Sequence, residues 1–153
     1  MGINGWIIME ILNKKARFDY FVEEEIEAGI ELTGTEIKSI RDGKCNIKDC
    51  YGIVKNGEVF LLNMYIAQYK EGNIFNHNET RSRKLLLHKK EIKKINDSIT
   101  LNGLTLIPLK GYFKNNKFKI LLGICRGKKN YDKRETIKER DINREAKKNL
   151  KNY

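Results

Sequence analysis

The side chains of this chain that could do chemistry are acids, soft metal ligands and bases. Glu23, Glu24, Glu25 and Glu27 crowd one stretch, and paired carboxylates are what metal-assisted hydrolysis or general acid–base work requires. On an extended strand, alternation sends Glu24 to the face opposite Glu23 and Glu25, so the four do not converge. Cys45 and Cys50 with His77 or His88 offer thiolate and imidazole for zinc, but no CxxC or HxxxH spacing draws them together. Cys45, Cys50 and Cys125 make an odd count. They read as small buried hydrophobes in a reducing compartment rather than as a disulfide framework. A glycine-rich phosphate cradle is also missing from the sequence. The expectation is a protein without enzymatic activity, bound metal or cofactor.

What remains is positive charge. Lys and Arg number 31 against 20 Asp and Glu in 153 residues, a formal net charge of +11. An excess of that size attracts polyanions, because each neutralised phosphate releases counterions. The bases fall into clusters. Lys15 and Arg17, with Asn13 beside them, surround Tyr20, an aromatic among cations suited to stacking on an unpaired base; a half-buried strand tyrosine is the plain alternative. Arg81, Arg83 and Lys84 flank a polar loop, where they could position phosphates or simply be solvated. From Arg126 onward there are eleven bases against five acids. Ile142, Ala146 and Leu150 recur there every fourth residue, a stripe that supports a helix only against a surface. Residues 126–153 are therefore expected to be a basic tail, disordered when free and helical when bound.

The elements that must hold these side chains are short. Phe18 to Leu32 predicts a strand with a bulge or bend at Gly29. Thr33 to Gly43 predicts a helix capped by Thr33 or Thr35 and closed by Gly43. Cys50–Val54 and Val59–Leu62 around Asn56-Gly57 predict a hairpin with a type I′ turn. Glu71 to Asn78 reads as a loop, and His88 to Asn96 as a short amphipathic helix. Leu104–Leu109 and Phe118–Ile124 predict a second hairpin, with Pro108 demanding an edge or a bulge. Five to seven short strands with a few helices suggest a mainly β fold, a small OB-like antiparallel barrel over residues 13–125. Residues 1–12 read as a leader, mobile or packed on the domain. Their apolar run is too short to span a bilayer and lacks signal-peptide features, so the expected location is the cytoplasm, away from membranes.

Several strings, in order and spacing, carry a resemblance. Asn13 to Tyr20 (NKKARFDY) and Glu23 to Ile30 (EEEIEAGI) come first. Leu32 to Arg41 (LTGTEIKSIR), Gly43 to Ile47 (GKCNI) and Thr80 to Leu87 (TRSRKLLL) follow, then Gly127 to Arg134 (GKKNYDKR). Between Asn13 and Arg140 the chain resembles the SmpB family. The resemblance implies a non-enzymatic adaptor, with an OB-like barrel binding the tRNA-like domain of tmRNA near its elbow. It implies delivery of alanyl-tmRNA, together with elongation factor Tu, to ribosomes stalled without a codon. It also implies a tail lying in the empty messenger path, against small-subunit RNA at the decoding site.

Residue by residue, Glu27, Leu86 and Lys119 match tmRNA-binding positions. A carboxylate facing RNA makes sense only as an acceptor from a base amino group or a 2′-hydroxyl; a solvated strand glutamate is the alternative. Leu86, in a run of three leucines, reads equally as core. Gly127, Lys128, Lys129, Tyr131, Asp132, Lys133 and Arg134 match the decoding-site segment, Tyr131 standing where some members have His. A monomer is expected. The competing reading is a generic OB-type binder of single strands, which would favour unstructured RNA over an L-shaped fold.

Overall fold

The computed structural model describes residues 10–69 and 76–128. In chain order these form β1 (Glu10–Leu12), α1 (Ala16–Asp19), β2 (Tyr20–Ile30), α2 (Gly34–Arg41), β3 (Cys45–Asn46) and β4 (Tyr51–Lys55). There follow β5 (Glu58–Leu62), β6 (Tyr65–Ile66), β7 (Arg83–Leu86), α3 (Lys89–Asn102), β8 (Thr105–Lys114) and β9 (Lys117–Gly127).

Local chemistry explains the boundaries. Asn56 and Gly57 sit at φ 53° and 76°, the pair of left-handed conformations that a two-residue type I′ hairpin needs. Asn115 and Asn116, at φ 53° and 65°, do the same between β8 and β9. Thr33 caps α2 in a reciprocal box: its hydroxyl accepts from the Glu36 N–H, and the Glu36 carboxylate accepts from the Thr33 N–H. That satisfies two otherwise orphaned donors.

The main sheet runs β1-β8-β4-β5-β7-β2-β9, and β8 also pairs with β9. This last pairing joins β8-β4-β5-β7-β2-β9 into a closed antiparallel ring, as an OB-like barrel requires, with β1 laid along β8. Inside lie Ile26, Ala28 and Ile30 of β2, with Val59, Leu61, Leu85, Leu106, Ile120 and Leu122. Ile40 of α2 and Ile95 of α3 are fully buried against them. A second, smaller cluster of Ala16, Ile107, Leu109 and Cys125 lies beneath α1.

Four expectations are corrected. Gly29 is regularly paired on both sides, with Lys119 and Leu86. The irregularity in β2 falls between Val22 and Glu24 instead. The second hairpin is longer than Leu104–Ile124 suggested, because the register slips between Pro108 and Lys110. That slip absorbs the proline, which has no N–H to donate, and pairing then continues to Lys114. Helix α3 runs to Asn102 and ends at Gly103 in the left-handed region, φ 66°. Finally, Glu10–Leu12 are paired to β8, and β9 continues through Gly127. Strand pairing therefore runs two residues past 125, and Glu10–Leu12 take the packed alternative expected for the leader.

Candidate nucleic-acid interface

The outer face of the barrel carries an uninterrupted cross-strand row. Register places Glu10 opposite Tyr112, Tyr112 opposite Lys119, Lys119 opposite Gly29, and Gly29 opposite Leu86. Glu27 lies two residues before Gly29 on β2 and so faces the same way. Glu27, Leu86 and Lys119, taken from three distant parts of the sequence, line one groove of about 740 Å³. Leu85 takes the core position while Leu86 is 48% exposed, which settles the direction of that leucine run. A Cβ on Gly29 would come within 3.3 Å of the Leu86 Cβ, so glycine lets the leucine lie flat across the strand. Helix α3 and its N-cap residue His88 close the other wall, with Glu91 and Lys94; sequence reasoning had weighed His88 only as a zinc ligand and had not singled out Glu91 or Lys94. Lys94 is ion-paired to Glu24.

Glu27 is held in place. The Tyr112 hydroxyl donates to its Oε2, and Lys114 Nζ lies 3.4 Å from Oε1. The Tyr112 hydrogen bond leads the effects that keep this carboxyl below its ordinary range, helped by Lys114 and Lys119. It is an anion, an acceptor and nothing else.

Of the α1 cluster, Lys15 and Tyr20 line a separate concavity of about 360 Å³ with Lys48 and Tyr51. It shares no lining residue with the first groove. Tyr20 is half-buried against the smaller core. Arg17 is exposed and paired to Glu25 at 3.0 Å. Asn13 is buried, and its amide donates to the Pro108 and Ile47 carbonyls at 2.9 and 3.3 Å. It pins the start of α1 to the barrel.

At the far end of β9, Phe21 stacks under Arg126 and Lys128, whose charges lie 4.5 and 4.8 Å from the ring centroid. Arg126 also pairs with Glu23 at 3.1 Å. Lys128 is anchored twice, its N–H to the Asp19 carbonyl at 2.9 Å and its Nζ to the Arg17 carbonyl at 3.2 Å. Gly127 is the last strand residue, and Lys129, Tyr131, Asp132, Lys133 and Arg134 lie outside the described residues.

The Arg81–Lys84 cluster divides. Arg83 is fully buried, so its expected phosphate contact is corrected. Its Nε donates to Glu36 Oε2 at 2.7 Å, and its other donors go to the carbonyls of Met64, Arg81, Asn78 and Glu79. All five N–H groups are satisfied. Arg81 grips the same carboxylate through two bonds of 3.0 and 2.7 Å while staying 34% exposed. Lys84 lies 3.6 Å from Glu58 on the outer face. Glu36 belongs to the LTGTEIKSIR string and the arginines to TRSRKLLL, so those two strings are bonded to each other.

The remaining chemistry is structural. His77 is buried: its Nε2 donates to the Ile66 carbonyl at 2.9 Å, while Nδ1 meets the Thr35 hydroxyl. Burial pushes the Cys45 and Cys50 thiols up to about 12 and Cys125 to about 11. Thiols in that range are poor nucleophiles and ligands. Among the described residues, no group of three His, Cys, Asp or Glu is placed to hold a metal ion, and no helix is long and apolar enough to cross a membrane.

Fold and surface together define a small OB-like β-barrel protein with an ionic groove laid across its outer strands. The family model for SmpB protein matches residues 10–152, and the chain belongs to that family. An SsrA-binding protein of Acetivibrio thermocellus is 59% identical over 91% of this chain and 90% of its own. Another, from Ligilactobacillus salivarius, is 57% identical over 92% and 91%. A solved structure described as "tmRNA-SmpB: a journey to the center of the bacterial ribosome" superposes with a TM-score of 0.67 at 41% identity. It covers 90% of this chain and 96% of that one.

Proposed function

We propose that this protein is the tmRNA-binding adaptor of trans-translation, gripping the tRNA-like domain of tmRNA and accompanying it to stalled ribosomes. One observation carries the assignment of the gripping surface: Glu27, Leu86 and Lys119 share a single groove. It is supported by relatives named for binding SsrA and by the ribosome-bound structural neighbour. Each residue has a role suited to its chemistry. Lys119 neutralises phosphate. Leu86 offers an apolar shelf on which a splayed base or ribose rests. Glu27 accepts from a base amino group or 2′-hydroxyl, and the cations beside it offset its repulsion of phosphate.

The second concavity, with Lys15 and Tyr20, the exposed Arg17 and the part-exposed Arg81 and Lys84 extend the basic surface. Residues beyond Lys128 form the basic tail that would occupy the empty messenger path and meet small-subunit RNA at the decoding site. Elongation factor Tu with alanyl-tmRNA is the co-delivered partner, and the adaptor acts as a cytoplasmic monomer without catalysis. The test is a competition gel shift with the tRNA-like domain of tmRNA, ordinary tRNA and unstructured RNA of equal length. The tRNA-like domain should compete best. Equal competition by unstructured RNA would favour a generic single-strand binder and overturn the reading.

A further inference from the structure

We propose that Tyr112 is a positioning residue of the RNA groove, setting the Glu27 carboxylate to accept from a base amino group or ribose hydroxyl of the bound RNA. The inference rests on the function proposed above and adds a residue to the same site. Tyr112 belongs to the cross-strand row that ends at Lys119, Gly29 and Leu86. Its hydroxyl reaches sideways to Glu27 Oε2. The ring is itself held: it is half-buried, and Lys110 Nζ lies 5.6 Å from its centroid.

An exposed glutamate on a strand would sample several rotamers, each ordered at an entropic cost when RNA arrives. The hydroxyl removes that cost in advance by fixing one oxygen, leaving the remaining lone pairs of the carboxylate for a ligand. Burial, and after it the hydrogen bond to Glu27 and the charge of that carboxylate, pushes the phenol up to about 12, so it stays a proton donor at neutral pH. Lys114 of β8 and Lys119 of β9 face the same carboxylate. Lys119 acts on it through charge alone, and Lys114 donates a long hydrogen bond of 3.4 Å to the other oxygen, Oε1, leaving the contact to Oε2 to the phenol.

Tyr112→Phe keeps the ring and deletes the hydroxyl. In the full-length protein it should weaken binding to the tRNA-like domain of tmRNA about tenfold, the scale of one charge-assisted hydrogen bond. Glu27→Gln should weaken binding too, and the double variant should bind no worse than Glu27→Gln alone. By carbon-detected NMR, the titration midpoint of the Glu27 carboxyl should rise in Tyr112→Phe while the rest of the spectrum stays native. Losses that multiply in the double variant, or unchanged binding by Tyr112→Phe beside normal wild-type binding, would overturn this inference alone. Wild-type indifference to the tRNA-like fold would instead remove the functional reading beneath it. A probe carrying 2′-deoxyribose in its loops separates the two donors. Tyr112 dependence disappears if the ribose hydroxyl is read and persists if a base amino group is.

Discussion

Replacing Arg83 with alanine should cost stability heavily and leave the electrostatics of RNA binding unchanged. Arg83 is fully buried, and its five N–H groups meet Glu36 and the carbonyls of Met64, Arg81, Asn78 and Glu79. Removing one partner of a buried ion pair costs about 3–5 kcal/mol, because the other charge is left uncompensated. Here Arg81 keeps two bonds to Glu36, which places the expected loss near the lower end, about 3 kcal/mol. That is a large share of the 5–15 kcal/mol (roughly) that holds a typical domain folded. Urea unfolding followed by fluorescence reads it directly. With a slope of about 1–3 kcal/mol per molar, the midpoint should fall by about 1–3 M. Lys84→Ala is the control: its pair with Glu58 spans 3.6 Å between part-exposed groups and should be worth about 0.5 kcal/mol or less. The slope of log affinity against log salt should be that of the wild type in Arg83→Ala. A midpoint shift no larger than that of Lys84→Ala, or a slope reduced by one phosphate contact, would refute the placement of Arg83 as a structural residue.

Other expectations follow from the same geometry. Burial pushes the Glu36 carboxyl up, but its bonds from Arg81, Thr33 and Arg83 outweigh this and set it below its ordinary 4.5. Its stabilisation is therefore present above about pH 4.5 and is lost as pH falls through the lower folded value. Thermal melts of wild type and Glu36→Gln should accordingly converge in acid and diverge toward neutrality. Lys119→Ala should weaken RNA binding and reduce the salt slope by about 1, readable by titration at several salt concentrations. Gly111→Ala would place a Cβ 2.5 Å from Phe118 Cζ and 3.3 Å from Ile120 Cδ1; the overpacking should cost about 1–3 kcal/mol in a denaturation curve. Deleting the residues after Gly127 should nearly preserve affinity for the tRNA-like domain in a gel shift and abolish ribosome rescue in a reconstituted system.

Local signals in the sequence were strong where one residue type had little choice. Asn56-Gly57 could hardly be anything but a type I′ turn, and Thr33 with Glu36 forms the capping box of the helix predicted there. Alternation was expected to send Glu24 away from Glu23 and Glu25, but the register shifts between Val22 and Glu24, and Glu24 and Glu25 line the same groove. Nor could alternation foresee that Glu24 would meet Lys94, a partner 70 residues away. Arg83 misled for a related reason. Arg81, Arg83 and Lys84 look alike as charges, and only the fold reveals that Glu36 waits inside for one of them. Tyr112 was missed because the strand was drawn only as Leu104–Leu109. The bulge after the proline carries pairing five residues past Leu109, to Lys114, and brings Tyr112 beside Lys119. Leu86 could not be told from Leu85 until register gave one of them the core.

The most direct measurement is amide and methyl NMR of the labelled protein during titration with the tRNA-like domain of tmRNA. Resonances of Glu27, Gly29, Leu86, Tyr112 and Lys119 should move first and furthest, while those of the buried Asn13, Glu36 and Arg83 hold still. Perturbations centred away from this row, with the groove silent, would contradict the account.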